Sequence, residues 1–187
     1  MAPSRAPSDS IFNLAIEQEY LARAMRKGAS ANPAAALPSQ VLQSYCDALT
    51  SLAPRIALAW IWFGEPDASE VRPQICSGRA CAYAQNLRIA RNWLTSKGPV
   101  FRAIDGRRSV IFSISPWSVW KPWRQVARDH GICSVIALQL ASSTDQRRGL
   151  LVMYSDTDQY FDFLGEQVFR SMADLFSVVL SKEARSA

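Results

Sequence analysis

The sequence predicts an α+β fold: a central, mostly antiparallel sheet flanked by helices, with long helices at both ends. Three observations lead there. Apolar residues recur at spacings of three and four near the start and the end of the 187-residue chain, the period of a helix with one buried stripe. Between these helices lie short apolar runs rich in Val, Ile, Trp and Phe, separated by Gly, Pro, Asp and Ser, as in strands joined by turns. Helices followed by a block of strands, with helices outside, make an α+β sandwich. No internal repeat is visible.

Residues 1–8 are small, polar and proline-rich, a composition that predicts a disordered tail. Residues 9–37 read as an N-terminal helix and linker. Ser8 or Ser10 caps the helix, and Ile11, Leu14, Ala15, Gln18, Leu21, Ala22 and Met25 line one face. Gly28 stops it, and GASANPAAALP is a linker by its Gly, Ala and Pro content. A second helix follows Ser39, with Val41, Leu42, Tyr45, Cys46, Leu49 and Leu52 on its apolar face.

The stretch IALAWIWFG at 56–64 is apolar on both alternating sets. Ile56, Leu58, Trp60 and Trp62 fall on one side; Ala57, Ala59, Ile61 and Phe63 fall on the other. Such a strand is covered on both faces. Residues 71–77 return as its hairpin partner. A short helix at 98–106 precedes a strand at 109–114. Strands at 133–140 and 148–155 are joined by the turn SSTDQR. A long helix from about Asp162 closes the chain with two apolar stripes: Val168, Met172, Leu175 and Val179, then Phe169, Phe176 and Leu180. One stripe packs on the sheet. The other needs either a twin helix from a second subunit or the chain's own N-terminal helix.

Composition excludes several classes. An apolar fraction of 49% and a charged fraction of 20% are ordinary for a globular domain. The net charge of +5 has no basic block, which argues against nucleic acid as a partner. No apolar run is long enough to cross a membrane, and MAPSRAPSDS does not read as a signal peptide. The four cysteines form no CxxC pair and there is one histidine, a poor set for structural zinc. Cysteines in apolar runs without a leader suggest a reducing, cytoplasmic setting.

The motifs then add up. LAWIWFGEPD is followed by GPVFRAIDGRRSVIFSI, KPWRQVARDHGICSVIALQL and RGLLVMYSDTDQYFD, with a long helix to close. This order resembles the GAF domain, in particular the version in bacterial sensor proteins linked to cyclic diguanylate signalling. The resemblance covers roughly 38–182, leaving 183–187 as a tail. Its matching positions are Gly98 and Pro99, Pro122 with Trp123 and Arg124, Gly131 with Ser134, Leu138 with Leu140, Gly149, Tyr154 and Phe161. It implies a small-molecule pocket in front of the sheet and a signal passed through dimeric end helices to an output domain or partner protein. The sequence departs from the family pattern at Trp117 and Ser118, where Asp-Pro often stands, and at Phe101, where a second glycine is frequent.

Candidate ligand-binding residues follow. Trp62 lies on the first strand and Trp93 in the segment that this family uses as a variable pocket wall. Trp117, Trp120, Trp123 and Arg124 come from SPWSVWKPWR; aromatic faces stack on flat ligands and arginine clamps anions. His130 shares a predicted helix face with Trp123. It is either an axial ligand for haem, as in some members of this family, or a helix-terminal histidine satisfying carbonyls. Cys76 and Cys133 are either redox-active thiols or small apolar filler. No nucleophile elbow and no phosphate loop occur, so catalysis is not expected. The reading is a cytoplasmic, homodimeric, small-molecule-binding regulatory domain. Its alternatives are a dimerisation module with a filled pocket and a cysteine-based redox sensor or enzyme.

Overall fold

The computed structural model describes residues 13–31, 37–106, 109–114, 127, 129–140 and 147–183. Trp117, Trp120, Trp123 and Arg124 lie outside this set, as do the expected tail at 1–8 and the start of the helix expected from Pro122. Among the described residues no helix is long and apolar enough to cross a membrane.

Helix α1 (Leu14–Ser30) leads to α2 (Pro38–Leu52). The Asn13 side chain caps α1 by accepting from the Ala15 and Ile16 amides. The helix starts later than Ser8 or Ser10 would place it, and Gly28 does not end it. Gly28 lies inside α1, where a Cβ would collide with the Tyr45 ring of α2. The glycine serves close helix–helix approach rather than termination.

The sheet has the order β3-β1-β7-β6-β5 and is antiparallel throughout. Its strands are β1 (Ile56–Gly64), β3 (Ile75–Ser77), β5 (Ser109–Ser113), β6 (Ser134–Leu140) and β7 (Arg148–Ser155). The α+β class is therefore present as read. The expected second strand at 71–77 is split. Pro73 has no amide hydrogen to give a ladder, and β2 (Glu70–Val71) pairs instead with β4 (Ile89–Ala90) in a separate two-stranded sheet. The Gln74 side chain bridges the gap, accepting from the Phe63 amide and donating to the Phe63 carbonyl.

One residue of β1 changes the face assignment. Ile56 opposes Ser155 and Leu58 opposes Tyr154, so Ala57 is an extra residue in β1. Ile56 consequently joins Ala59 and Ile61 on one face, while Leu58, Trp60 and Trp62 occupy the other. The strict alternation expected from sequence holds from Leu58 onward but misplaces Ile56.

The first face of the sheet packs on α1, α2 and the C-terminal helices. The closing helix is two pieces, α5 (Tyr160–Leu164) and α6 (Glu166–Glu183), separated by Gly165 at a left-handed φ of 85°. On α6, Phe169, Met172 and Phe176 are buried, and Tyr45 of α2 stacks against Phe176 at 5.2 Å between centroids. Within the second stripe, Phe176 is covered by α2, a neighbour outside the sequence-based expectation. Leu175 and Val178 remain exposed. Helix α1 is fastened from behind: the Tyr160 hydroxyl donates to the buried Glu17 carboxylate at 3.0 Å.

The turn after β3 docks on the bulge. The Ala80 amide donates to the Ala57 carbonyl at 3.1 Å. Gly78 sits at φ 117°, and a Cβ there would strike that same carbonyl oxygen. Gly78→Ala is expected to lower unfolding stability by about 1–3 kcal/mol from backbone strain alone, with the collision added. Urea denaturation beside Gly106→Ala checks this. Gly106 has φ 109° and open space around its missing Cβ, so its substitution costs less. Equal costs would contradict the docking role.

Candidate functional site

The second face of the sheet carries the site. Beyond it lie α3 (Cys81–Gln85), β4, a single 3₁₀ turn (Thr95–Lys97) and α4 (Pro99–Ile104). Residues of this layer and of the sheet enclose a partly open cavity of about 110 Å³. Val135 of β6, Tyr154 of β7 and Phe112 and Ser113 of β5 form its floor. Tyr83, Leu87, Ile89 and Thr95 form one wall; Gly98, Pro99 and Val100 form another, with Ile114 and Ala127 at the remaining side.

Behind this lining the layer over the sheet is braced by Arg91, next to β4. Its guanidinium donates to both Asp105 carboxylate oxygens, at 3.0 and 3.1 Å, and to the Pro66 and Ala68 carbonyls. Its carbon also lies 4.3 Å from the centroid of the Phe101 ring. One side chain thus ties the loop before β2 to the end of α4, as a planar five-donor group can. Asn92 adds an Asx turn, accepting from the Leu94 and Thr95 amides at 2.9 Å.

The described cavity lining has no ionisable side chain other than its two tyrosines. Tyr83 and Tyr154 meet edge to face, 6.1 Å between centroids at 86°. Burial pushes the Tyr83 phenol up to about 12. Burial also holds the Tyr154 phenol well above its ordinary value, with Tyr83 beside it adding to the effect. Both are neutral hydroxyls at ordinary pH. The Trp60 indole N–H, on the same face, acts in the opposite sense on Tyr154. That N–H is fully buried and, among the described residues, does not reach full hydrogen-bonding geometry.

Those sequence candidates that the structure describes fall around this cavity rather than among its described lining. Trp62 is buried in the same apolar cluster but does not line the cavity. Trp93 is 77% exposed, with the Lys97 ammonium 5.8 Å from its ring centre. His130 is exposed and rests on Tyr83, 5.4 Å between ring centroids. Haem does not fit: His130 is no part of the lining, and 110 Å³ is smaller than the roughly 150 Å³ cavity that holds one benzene. Cys133 is half-buried and its backbone joins the end of β6 to Ser155 and Ile114.

Cys76 corrects the reading of separate thiols. It forms a disulfide with Cys81, their Cα atoms 6.1 Å apart, within bridging range. The turn through Gly78 brings the two together, a proximity that the spacing CSGRAC does not reveal. Cys76 opposes Trp60 across the β1–β3 ladder, so the disulfide packs beside the site face. Cys46 is buried in the opposite layer, where burial pushes its thiol up.

Sequence reasoning missed Tyr83, Leu87 and Ile89 because they sit in elements of five residues or fewer, too short to show a period. Gly98, Pro99 and Tyr154 were visible only as positions matching a family pattern.

Comparison with known proteins agrees with this architecture. A family model described as GAF domain matches residues 35–181. No curated protein matches. Among solved structures, a protein from Burkholderia vietnamiensis described as a candidate GAF sensor is 16% identical, with both chains covered in full and a TM-score of 0.66. A free methionine-R-sulfoxide reductase from Neisseria meningitidis, in complex with its substrate, is 15% identical over 100% of this chain and 99% of that one, with a TM-score of 0.64. The phycoerythrobilin-bound GAF domain of a cyanobacterial phytochrome is 12% identical over 92% and 98%, with a TM-score of 0.59. The reductases overturn the expectation that this chain has no catalytic activity: the fold it adopts is also the fold of enzymes.

The Tyr83 environment gives a pH dependence with a definite sign. As pH rises past 10.0, the ordinary phenol value, the unfolded chain releases a proton that native Tyr83 still holds. Stability contributed below that pH is therefore lost as pH climbs toward 12. Tyr83→Phe is expected to show a shallower fall. Chemical denaturation at intervals between about pH 9 and pH 11 reads it; identical slopes would refute the buried-phenol description.

Proposed function

The chain belongs to the GAF domain family, and on that premise we propose that it is a small-molecule-binding regulatory domain of bacterial signal transduction, acting through a homodimer. The observation that carries the reading is the cavity between Tyr83 and Tyr154. It is apolar, partly open, and placed between the sheet and the α3–α4 layer. A concave apolar site with a few convergent hydroxyls is what a small-molecule pocket needs, and domains of this family commonly bind such ligands.

Exposed Leu175 and Val178 on α6, with Leu14 and Ile16 on α1, support the homodimer, since apolar end-helix faces gain from mutual burial. The link to cyclic diguanylate turnover is supported by the motif order from KPWRQVARDHG to RGLLVMYS. A cytoplasmic setting makes Cys76–Cys81 a reversible bond, because cytosolic disulfides are usually transient.

A second reading rests on that disulfide. In its dithiol form the pair would reduce a sulfoxide, the two thiols becoming a disulfide while the sulfoxide oxygen leaves as water. The name of the Neisseria meningitidis relative, a free methionine-R-sulfoxide reductase, supplies the substrate class. Mixing reduced protein with free methionine-R-sulfoxide and counting thiols decides this second reading. Loss of two thiols per chain, absent in Cys76→Ser, supports it; an unchanged count removes it.

The leading reading is tested by native mass spectrometry after exposure to a metabolite extract. Wild type is expected to carry a bound small molecule. Val100→Phe and Ile89→Phe, which fill the cavity at a cost of about 1–3 kcal/mol in stability, are expected to lose it while keeping the wild-type circular dichroism. Retention by a folded filled variant, or an empty wild type, would overturn the assignment.

A further inference from the structure

The polar groups of the cavity are unequally occupied. The Thr95 hydroxyl is spent within the fold: it donates to the Ala90 carbonyl at 2.6 Å and accepts from the Asn92 amide at 2.9 Å. Tyr154 is different. It is only 7% exposed and lines the cavity. Register places it on the same face as Trp60: Tyr154 opposes Leu58, and Trp60 opposes Val152 two residues along. They are diagonal neighbours on that face, close enough for long aromatic side chains to meet. The Trp60 N–H is donor-only; it acts on the Tyr154 side chain but among the described residues falls short of full hydrogen-bonding geometry, an expensive condition for a buried polar group.

An acceptor entering the cavity resolves this arrangement. If the Tyr154 O–H donates to it, the phenol oxygen keeps lone pairs that the Trp60 N–H can use. The chain then runs from Trp60 N–H to the Tyr154 oxygen, and from the Tyr154 hydroxyl to the ligand. Charge is disfavoured, because the described lining offers no cation or carboxylate and a buried unpaired ion is costly. Size is bounded by a cavity of about 110 Å³, somewhat below the roughly 150 Å³ that accommodates benzene in an apolar core; the open side makes up the difference.

Resting on the reading of this cavity as a ligand site, we propose that it takes a neutral molecule with a core about one ring in size. That molecule presents a hydrogen-bond acceptor to the Tyr154 hydroxyl, which the Trp60 indole N–H supports from behind. The edge-to-face pair of Tyr83 and Tyr154 forms the corner against which the ring packs.

Benzene, pyridine and benzoate test the proposal, since the first two share a size and differ by one acceptor. They are titrated into the full chain at a pH where pyridine is neutral, with nitrogen–proton NMR as readout. Pyridine is expected to bind roughly three- to tenfold more tightly than benzene, the worth of one hydrogen bond, and benzoate not at all. Pyridine alone should move the Trp60 indole N–H signal. Tyr154→Phe should erase the difference between pyridine and benzene. Equal affinities in the wild type, a preference that survives in Tyr154→Phe, or tightest binding by benzoate would overturn the acceptor assignment while leaving the cavity a ligand site. Binding of none of the three would overturn both.

Discussion

The carbonyl of Ala57 lies where β1 carries one residue more than β7 opposes. That single extra residue organises both halves of the molecule. It hands Ile56 to the helical side and turns Leu58, Trp60 and Trp62 toward the site. At the same residue the Ala57 carbonyl accepts from the Ala80 amide. Gly78 permits the approach, and Cys76–Cys81 closes the same turn covalently. Helix α3 starts at Cys81, so the position of Tyr83 over the cavity is inherited from a backbone irregularity at the far end of β1.

From that point the site is connected to the rest of the fold by polar contacts that leave few alternatives. Arg79, inside the disulfide turn, donates to the Pro54 carbonyl at 3.1 Å and to Asp156 at 2.6 Å. Asp156 begins the segment that leads to α5, where Ser134 donates to the Thr157 carbonyl and Tyr160 holds Glu17 of α1. The wall of the cavity and the N-terminal helix are therefore linked through one short stretch after β7. On the other side Arg91 braces the layer over the sheet. A rigid apolar cavity with neutral hydroxyls is the physical outcome, and a ligand there would press on elements that reach both chain ends.

Much of this was legible in the sequence, and for definite reasons. The strands at 109–113, 134–140 and 148–155 were clear because β-branched residues occur in short runs with turn residues at their ends. The face of α2 was clear from its period, but on α1 the period pointed to Leu14, Ala15 and Gln18, which are exposed, whereas Glu17, Leu21, Ala24 and Gly28 are buried. What escaped depends on contacts between distant residues. A bulge leaves no mark on an all-apolar strand, so Ile56 went to the wrong face. Gly28 looked like a stop because nothing local shows that Tyr45 rests on it, and Gly165 divides a helix whose apolar period runs on almost unbroken. Trp62 and Trp93 drew attention because they are large. The described cavity lining includes Tyr83, Leu87, Ile89 and Val135 instead, residues that only topology gathers.

The central claim is that an accessible apolar cavity exists between Tyr83, Val135 and Tyr154. Xenon binds such cavities without needing any specific chemistry, so diffraction from xenon-pressurised crystals tests the claim most directly. The account predicts a xenon peak among these three side chains, and its disappearance in Val100→Phe. A wild-type map with no xenon there, or with a peak only elsewhere in the core, would contradict it.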